Sequence, residues 1–172
     1  IQPLPIKEGA PDYAALMMAN YLLGNGGNSR LWLRIREKDG LSYDVRSTIG
    51  WDAYGTNSWW IASAIFAPTN RAKVEVAFKE ELERALKDGF TAKELEEGKQ
   101  GLLNFRALSR AQDRNVAGAW VRNLDLGRTF AFSATVDAQL KALTLAQVNA
   151  ALRKYIEPAK FVVGFAGDFK EP

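Results

Sequence analysis

Between residues 41 and 66 the chain carries two runs of period-two patterning, and this hairpin constrains the fold more than any other stretch. In the first run, Leu41 to Trp51, the residues Tyr43, Val45, Ser47, Ile49 and Trp51 fall on one face. Asp44, Arg46 and Thr48 fall on the other, the alternation of a half-buried antiparallel strand. The second run, Asn57 to Phe66, sets Trp59, Ile61 and Ile65 against Trp60, Ala62 and Phe66. Both of its faces are apolar, so it reads as a central strand. A turn around Asp52, Tyr54 and Gly55 joins the two.

Helical signals flank the hairpin on both sides. Pro11 and Asp12 open a helix to Leu23, with Tyr13, Leu16, Met17, Asn20 and Leu23 at helical spacing and Gly24 as its stop. Met17 and Met18 read as core filler. Asn28 or Ser29 caps a second helix, Arg30 to Lys38, which ends at Asp39-Gly40. Beyond the hairpin, Val74, Phe78, Leu82 and Leu86 line a helix that runs from Pro68 to Lys87 and stops at Gly89. Thr91 with Glu94, and Thr144 with Gln147, form two Thr-x-x-Glu/Gln capping boxes. The first starts a long helix that breaks near Asp113 and closes at Gly127. The second starts a helix lined by Val148, Leu152 and Tyr155. Residues 2 to 7 read as an edge strand weakened by Pro3 and Pro5, and Phe161 to Gly167 as a last strand. Strands and helices do not alternate, which argues against a parallel Rossmann sheet. The expected class is α+β, a two-layer sandwich with helices on one face of a mostly antiparallel sheet.

A chain of 172 residues is one domain or one piece of a larger protein, long enough to bury roughly 70% of its unfolded surface. Its N-terminus shows neither an initiator Met nor the regions of a signal peptide, so a fragment or processed chain is expected. The longest apolar run, Ala14 to Leu23, is too short for a membrane span. A net charge of +3, with no block of like charges, gives no reason to expect nucleic-acid binding. Cytoplasm and periplasm both fit a chain without cysteine.

There are no histidines and no cysteines. That removes histidine-ligated zinc, thiolate chemistry and the Ser-His-Asp and Cys-His triads from this chain. The glutamates at 80, 81, 83, 94, 96 and 97 sit in amphipathic helices or capping positions and read as solvated, not as a catalytic carboxylate pair. The turn GNGGNS before the second helix has an anion-binding look, but it lacks the Lys and spacing of a P-loop and reads as a connector. Arg30, Arg34, Arg36 and Lys38 read as a solvated basic face, since Trp32 alone does not make a nucleic-acid surface. Trp59-Trp60 reads as one core and one helix-covered indole, with exposure of one of them as the alternative.

Arg36 and Tyr43 lie seven residues apart across a glycine turn, which lets their tips converge without requiring it. Arg offers a fork of donors and Tyr a phenolic donor, suited to gripping backbone carbonyls or a developing oxyanion. From the residues alone, a helix-end Arg in an ion pair and a core Tyr fit the spacing better.

The same stretch resembles the C-terminal-half signature of the pitrilysin, insulin-degrading-enzyme and mitochondrial-processing-peptidase family of zinc peptidases. It carries Ser29-Arg30-Leu31, then Ile35-Arg36-Glu37-Lys38-Asp39-Gly40-Leu41-Ser42-Tyr43. Asp12-Tyr13, the two capping boxes and the terminal Val-rich segment ending Gly-Asp stand in family-like order. Ile35 stands where the family pattern has Leu, and Ser42 where it has a small apolar residue.

The resemblance implies a pair of related halves. The N-terminal half carries an inverted zinc motif, H-x-x-E-H, while the C-terminal half closes the substrate chamber and contributes an Arg and a Tyr spaced as Arg36 and Tyr43 are. This chain then corresponds to the inactive peptidase-like half, with Arg36 and Tyr43 as substrate-binding residues and no catalytic or metal-ligating residue of its own. No cofactor is expected in it; zinc is expected in a partner half or subunit. The implied ligand is an unfolded peptide. A structural or assembly subunit of the same fold is the alternative, and a general peptide-binding module a third.

Overall fold

The computed structural model describes residues 1–169. Three strands form one antiparallel sheet in the order β1-β3-β2: β1 (Gln2–Leu4), β2 (Asp44–Gly50) and β3 (Ser58–Ile65). The second run of the hairpin is thus the central strand. In register, Asp44 faces Ile65 and Gly50 faces Trp59. The α-helices are α1 (Tyr13–Asn20), α2 (Arg71–Asp88), α3 (Ala92–Ser109), α4 (Asp113–Asp125), α5 (Ala131–Ala142) and α6 (Leu145–Tyr155).

Trp60 is the largest fully buried side chain, and Trp59, next along the strand, is exposed. Of the two arrangements open for the pair, the structure adopts exposure of one indole. Trp59 lies over the glycine opposite it: a Cβ on Gly50 would come within 2.1 Å of the indole. Beneath the sheet, Asn20 Oδ1 accepts from Trp60 Nε1 (2.9 Å) and Ser47 Oγ (2.7 Å). This polar knot pins α1 to both long strands, and buried amides of this kind stay only when satisfied.

Both capping boxes form. Thr91 Oγ1 accepts from Glu94 N while Glu94 accepts from Thr91 N, and Thr144 and Gln147 repeat the pattern. Gly89 closes α2 at φ +76°, where a side chain would also strike Asn149. The Asn149 amide holds both polar groups of Phe90, accepting from its N–H at 2.7 Å, so α6 locks the α2–α3 corner.

Four expectations need correction. Residues 161–167 form no strand. Ile1 and Val162 exchange two backbone hydrogen bonds of 2.9 Å, as an antiparallel pair does. The next such pair would fall on Pro3, which has no N–H to donate. Past Val162 the segment runs beyond Ile1, with Val162 and Val163 exposed, although Phe161 still stacks on Trp60 at 5.3 Å.

The first helix does not run regularly to Leu23. After Asn20 it widens to a π-turn, Tyr21–Asn25, and Gly24 sits inside that turn against Ser47, with Gly26 leaving extended. A Cβ on Gly24 would lie 2.6 Å from Ser47 Oγ, so the wide turn and the bare glycine together let chain and strand touch. The second helix starts at Arg30 and is π-wound from Trp32 to Lys38. The Ser29 hydroxyl is buried but makes no hydrogen bond, so it caps nothing. Finally, the stretch between Gly127 and the second capping box, to which the sequence pattern assigns no element, forms the helix α5.

Candidate functional site

The site lies where the basic helix turns into β2. Gly40 takes φ +61°, a left-handed conformation that suits glycine. Leu41 N–H then closes onto the Ile35 carbonyl (2.9 Å), and Asn70 Nδ2 donates to the Leu41 carbonyl (3.2 Å). Tyr43 N–H donates to Ile65 O at 3.1 Å, and the Ser42 hydroxyl lies 2.8 Å from the carbonyls of Asp44 and Ile65. Ile35 is fully buried. The two positions that depart from the resemblance therefore both work as anchors: Ile35 in the core, Ser42 on the hairpin end.

Those anchors bring Arg36 and Tyr43 together. The Arg36 guanidinium carbon lies 5.8 Å from the centre of the Tyr43 ring. Tyr43 is 80% exposed and is not a core residue. The only carboxylate within ion-pair reach of Arg36 among the described residues is Glu37, at 3.8 Å. Trp32, four residues earlier and on the same face of the helix, lies under the guanidinium at 4.1 Å. From sequence, Trp32 is weighed only as a nucleic-acid contact; the i, i+4 spacing of an indole and an arginine is the signal for this stacking.

The reading of the helix as a solvated basic face is overturned by its other two arginines. Arg30 Nε and Nη2 donate to the two oxygens of Glu94 (2.7 and 3.0 Å), and Nη2 also donates to the Gly89 carbonyl. Arg34 pairs with Asp39 and, at 2.8 Å, with Glu80. Their side chains are only 14% and 18% exposed. Carboxylates supplied by tertiary neighbours draw them inward. Arg36 alone of the three makes no side-chain hydrogen bond among the described residues. The reading of the glutamates as solvated also fails at Glu81, which is buried and pairs with Arg84 at 2.8 Å.

Next to the GNGG turn is a groove of about 260 Å³ lined in part by Gly27, Ser29, Glu94 and Glu97. Two carboxylates on its wall disfavour an anion, consistent with a connector role for the turn. No cluster of three or more metal-ligating side chains occurs among the described residues, and no helix there is long and apolar enough to cross a membrane.

Chemically, Arg36 and Tyr43 present an open guanidinium edge and an exposed phenol at one end of a sheet. Such a pair donates hydrogen bonds and fixes no metal. A two-layer α+β domain with an open donor pair and no ligand set is the class that fold and site define. Residues 1–102 match the model of the peptidase M16 inactive domain, and the chain belongs to that family.

Its relatives agree. It is 26% identical over 157 residues to the "Non-peptidase homolog YmxG" of Helicobacter pylori, covering 90% of this chain and 35% of that one. The peptidase M16 inactive domain from Pseudomonas fluorescens superposes with a TM-score of 0.74 at 27% identity, covering 91% of this chain and 37% of that chain. An inactive peptidase domain of a candidate zinc protease from Bordetella parapertussis shares the fold, at TM-score 0.73 and 18% identity, over 92% of this chain and 85% of that one. The chain thus spans about a third of the length of the Helicobacter and Pseudomonas relatives.

Proposed function

We propose that this chain is the non-catalytic, substrate-binding domain of a zinc metalloendopeptidase. It closes the peptide chamber and supplies Arg36 and Tyr43 to substrate carbonyls. The zinc and its general base belong to a second half, in the same polypeptide or in a partner subunit; relatives about three times as long support this. The residues of this chain do not fit zinc, since it has neither His nor Cys.

One observation carries the reading. Of three arginines on one helix, two are engaged by carboxylates, while Arg36 is held beside an exposed Tyr43 with its donors unused. An unfolded peptide lying as an added strand on the zinc half would present its carbonyls to these donors. Donors fixed in advance stabilise charge developing on a carbonyl oxygen more than they stabilise the ground state.

In the complete enzyme, Arg36→Ala and Tyr43→Phe are each expected to lower kcat/KM for an unfolded peptide by about 1.5–4 kcal/mol of transition-state stabilisation. Full turnover in both variants overturns the role.

A second reading, an assembly subunit of the same fold without a peptidase role, is favoured by the Helicobacter relative called a non-peptidase homolog. Native mass measurement of the purified complex separates the two. A partner bearing H-x-x-E-H supports the protease, and a membrane complex supports the scaffold.

A further inference from the structure

The Arg36 guanidinium carbon lies 4.1 Å from the centre of the Trp32 indole, nearer than its 5.8 Å from the Tyr43 ring, while Glu37 comes within 3.8 Å of Nε, too far for a hydrogen bond. The way a guanidinium is held decides what it can still do. A carboxylate that grips an arginine uses its in-plane N–H groups, as Glu94 does with Arg30. An aromatic ring grips it through its face and leaves every in-plane donor free. A long side chain carrying a charge that must stay available is therefore better held by stacking than by pairing.

We infer that Trp32 is the positioning residue of this site: its indole fixes the Arg36 guanidinium and leaves the donor edge open toward the Tyr43 side, where substrate carbonyls arrive. The inference rests on the reading of Arg36 as a substrate contact.

Three local features make the arrangement durable. Trp32 is half-buried and packs against the core, so its ring is itself held. Trp32 and Arg36 lie four residues apart on the same face of the helix. Tyr43 flanks the guanidinium on a second side, pinned by its own backbone bond to Ile65. Arg36 is thus flanked by two aromatic residues, with its side chain 38% exposed.

The position also explains why a lysine would not serve. An ammonium offers no plane to stack and no fork of donors.

Two measurements decide the proposal. On this chain, the Arg36 side-chain protons are expected to be shifted upfield by the indole in NMR spectra, with the shift lost in Trp32→Leu and largely kept in Trp32→Phe. An unshifted Arg36, or a shift that survives Trp32→Leu, overturns the stacking.

In the complete protease, Trp32→Leu is expected to lower kcat/KM ~2- to 30-fold, with Trp32→Phe restoring most of it. Combined with Arg36→Ala, Trp32→Leu is expected to add nothing further, because its effect passes through Arg36. Additive losses, or a Trp32→Leu enzyme at full rate beside an impaired Arg36→Ala enzyme, overturn the positioning role. If Arg36→Ala itself leaves turnover unchanged, the proposed function and the role of Trp32 in turnover both fail, while the NMR measurement still decides the stacking.

Discussion

Arg30 grips the carboxylate of Glu94 at both oxygens, and Glu94 is the residue that closes the capping box of α3. One side chain thus ties the basic helix to the first turn of a helix more than sixty residues away. The Arg30 guanidinium also lies over Phe90 at 4.9 Å and donates to the Gly89 carbonyl, so it welds the α2–α3 corner as well. What reads in sequence as a cationic helix is, at this position, an internal brace.

Removing that brace exposes its energetic role. Arg30→Met leaves Glu94 partly buried with only Thr91 as a donor, so a loss of about 2–3 kcal/mol is expected, less than for a fully buried pair. For a chain of this size that corresponds to a drop in Tm of about 4–12 °C by calorimetry.

The same variant reports on acid stability. Burial, the largest single influence on Glu94, raises its pKa, but the hydrogen bonds from Arg30 and Thr91 together bring it below the ordinary value. A lowered carboxylate contributes stability above its unfolded pKa and loses it as pH falls through the folded one. Arg30→Met should therefore show a shallower loss of stability in acid than the parent. An equally steep acid limb in both proteins would show that the Arg30–Glu94 pair does not set it.

Alkaline stability depends on a different residue. Burial pushes the Tyr13 phenol up to about 12, and the nearby Glu8 carboxylate adds to the rise. The ring is buried and packs edge-on against Trp51 at 4.5 Å, so a phenolate there would lose much of its solvation. An unfolded tyrosine ionises near 10, so folding favours the neutral form. Stability is intact below about pH 10, falls between about 10 and 12, and changes no further from this source above that. The loss amounts to about 2–3 kcal/mol. Urea midpoints measured across that range should fall more steeply for the parent than for Tyr13→Phe. Parallel curves would assign the alkaline limb to other groups.

How much of this was legible in the chain follows from the range of each interaction. The hairpin, its central second strand and both capping boxes are encoded within a few residues, and the structure has them. The α5 helix follows Phe130, which provides no side-chain cap, and only Val136 and Leu140 are buried along it, so neither a start signal nor a strong stripe marks it. The π-winding of Tyr21–Asn25 answers to contact with Ser47, more than twenty residues away. Arg30 and Arg34 differ from Arg36 only through partners elsewhere in the chain. Proximity of Arg36 to Tyr43 was permitted by their spacing. It took the Gly40 turn and the Asn70 and Ile65 anchors to bring it about.

Zinc provides the sharpest separation between this domain and a self-sufficient peptidase. A structural or catalytic zinc site draws on His, Cys and carboxylate ligands in a close set. This sequence has no His and no Cys, and its described carboxylates are dispersed, with Glu94, Glu80 and Asp39 already engaged by arginines. A ligand that binds only the folded state raises stability in proportion to the logarithm of its excess over Kd. Added zinc at tens of micromolar is therefore expected to leave the Tm of this chain unchanged and to produce no cleavage of an unfolded peptide. Mixed with a zinc-bearing half of the same family, the chain should raise peptide turnover, and the Arg36→Ala chain should raise it less. A saturable rise in Tm with zinc, or metal-dependent cleavage by this chain alone, would place a metal site where the described residues bring no close set of ligands together.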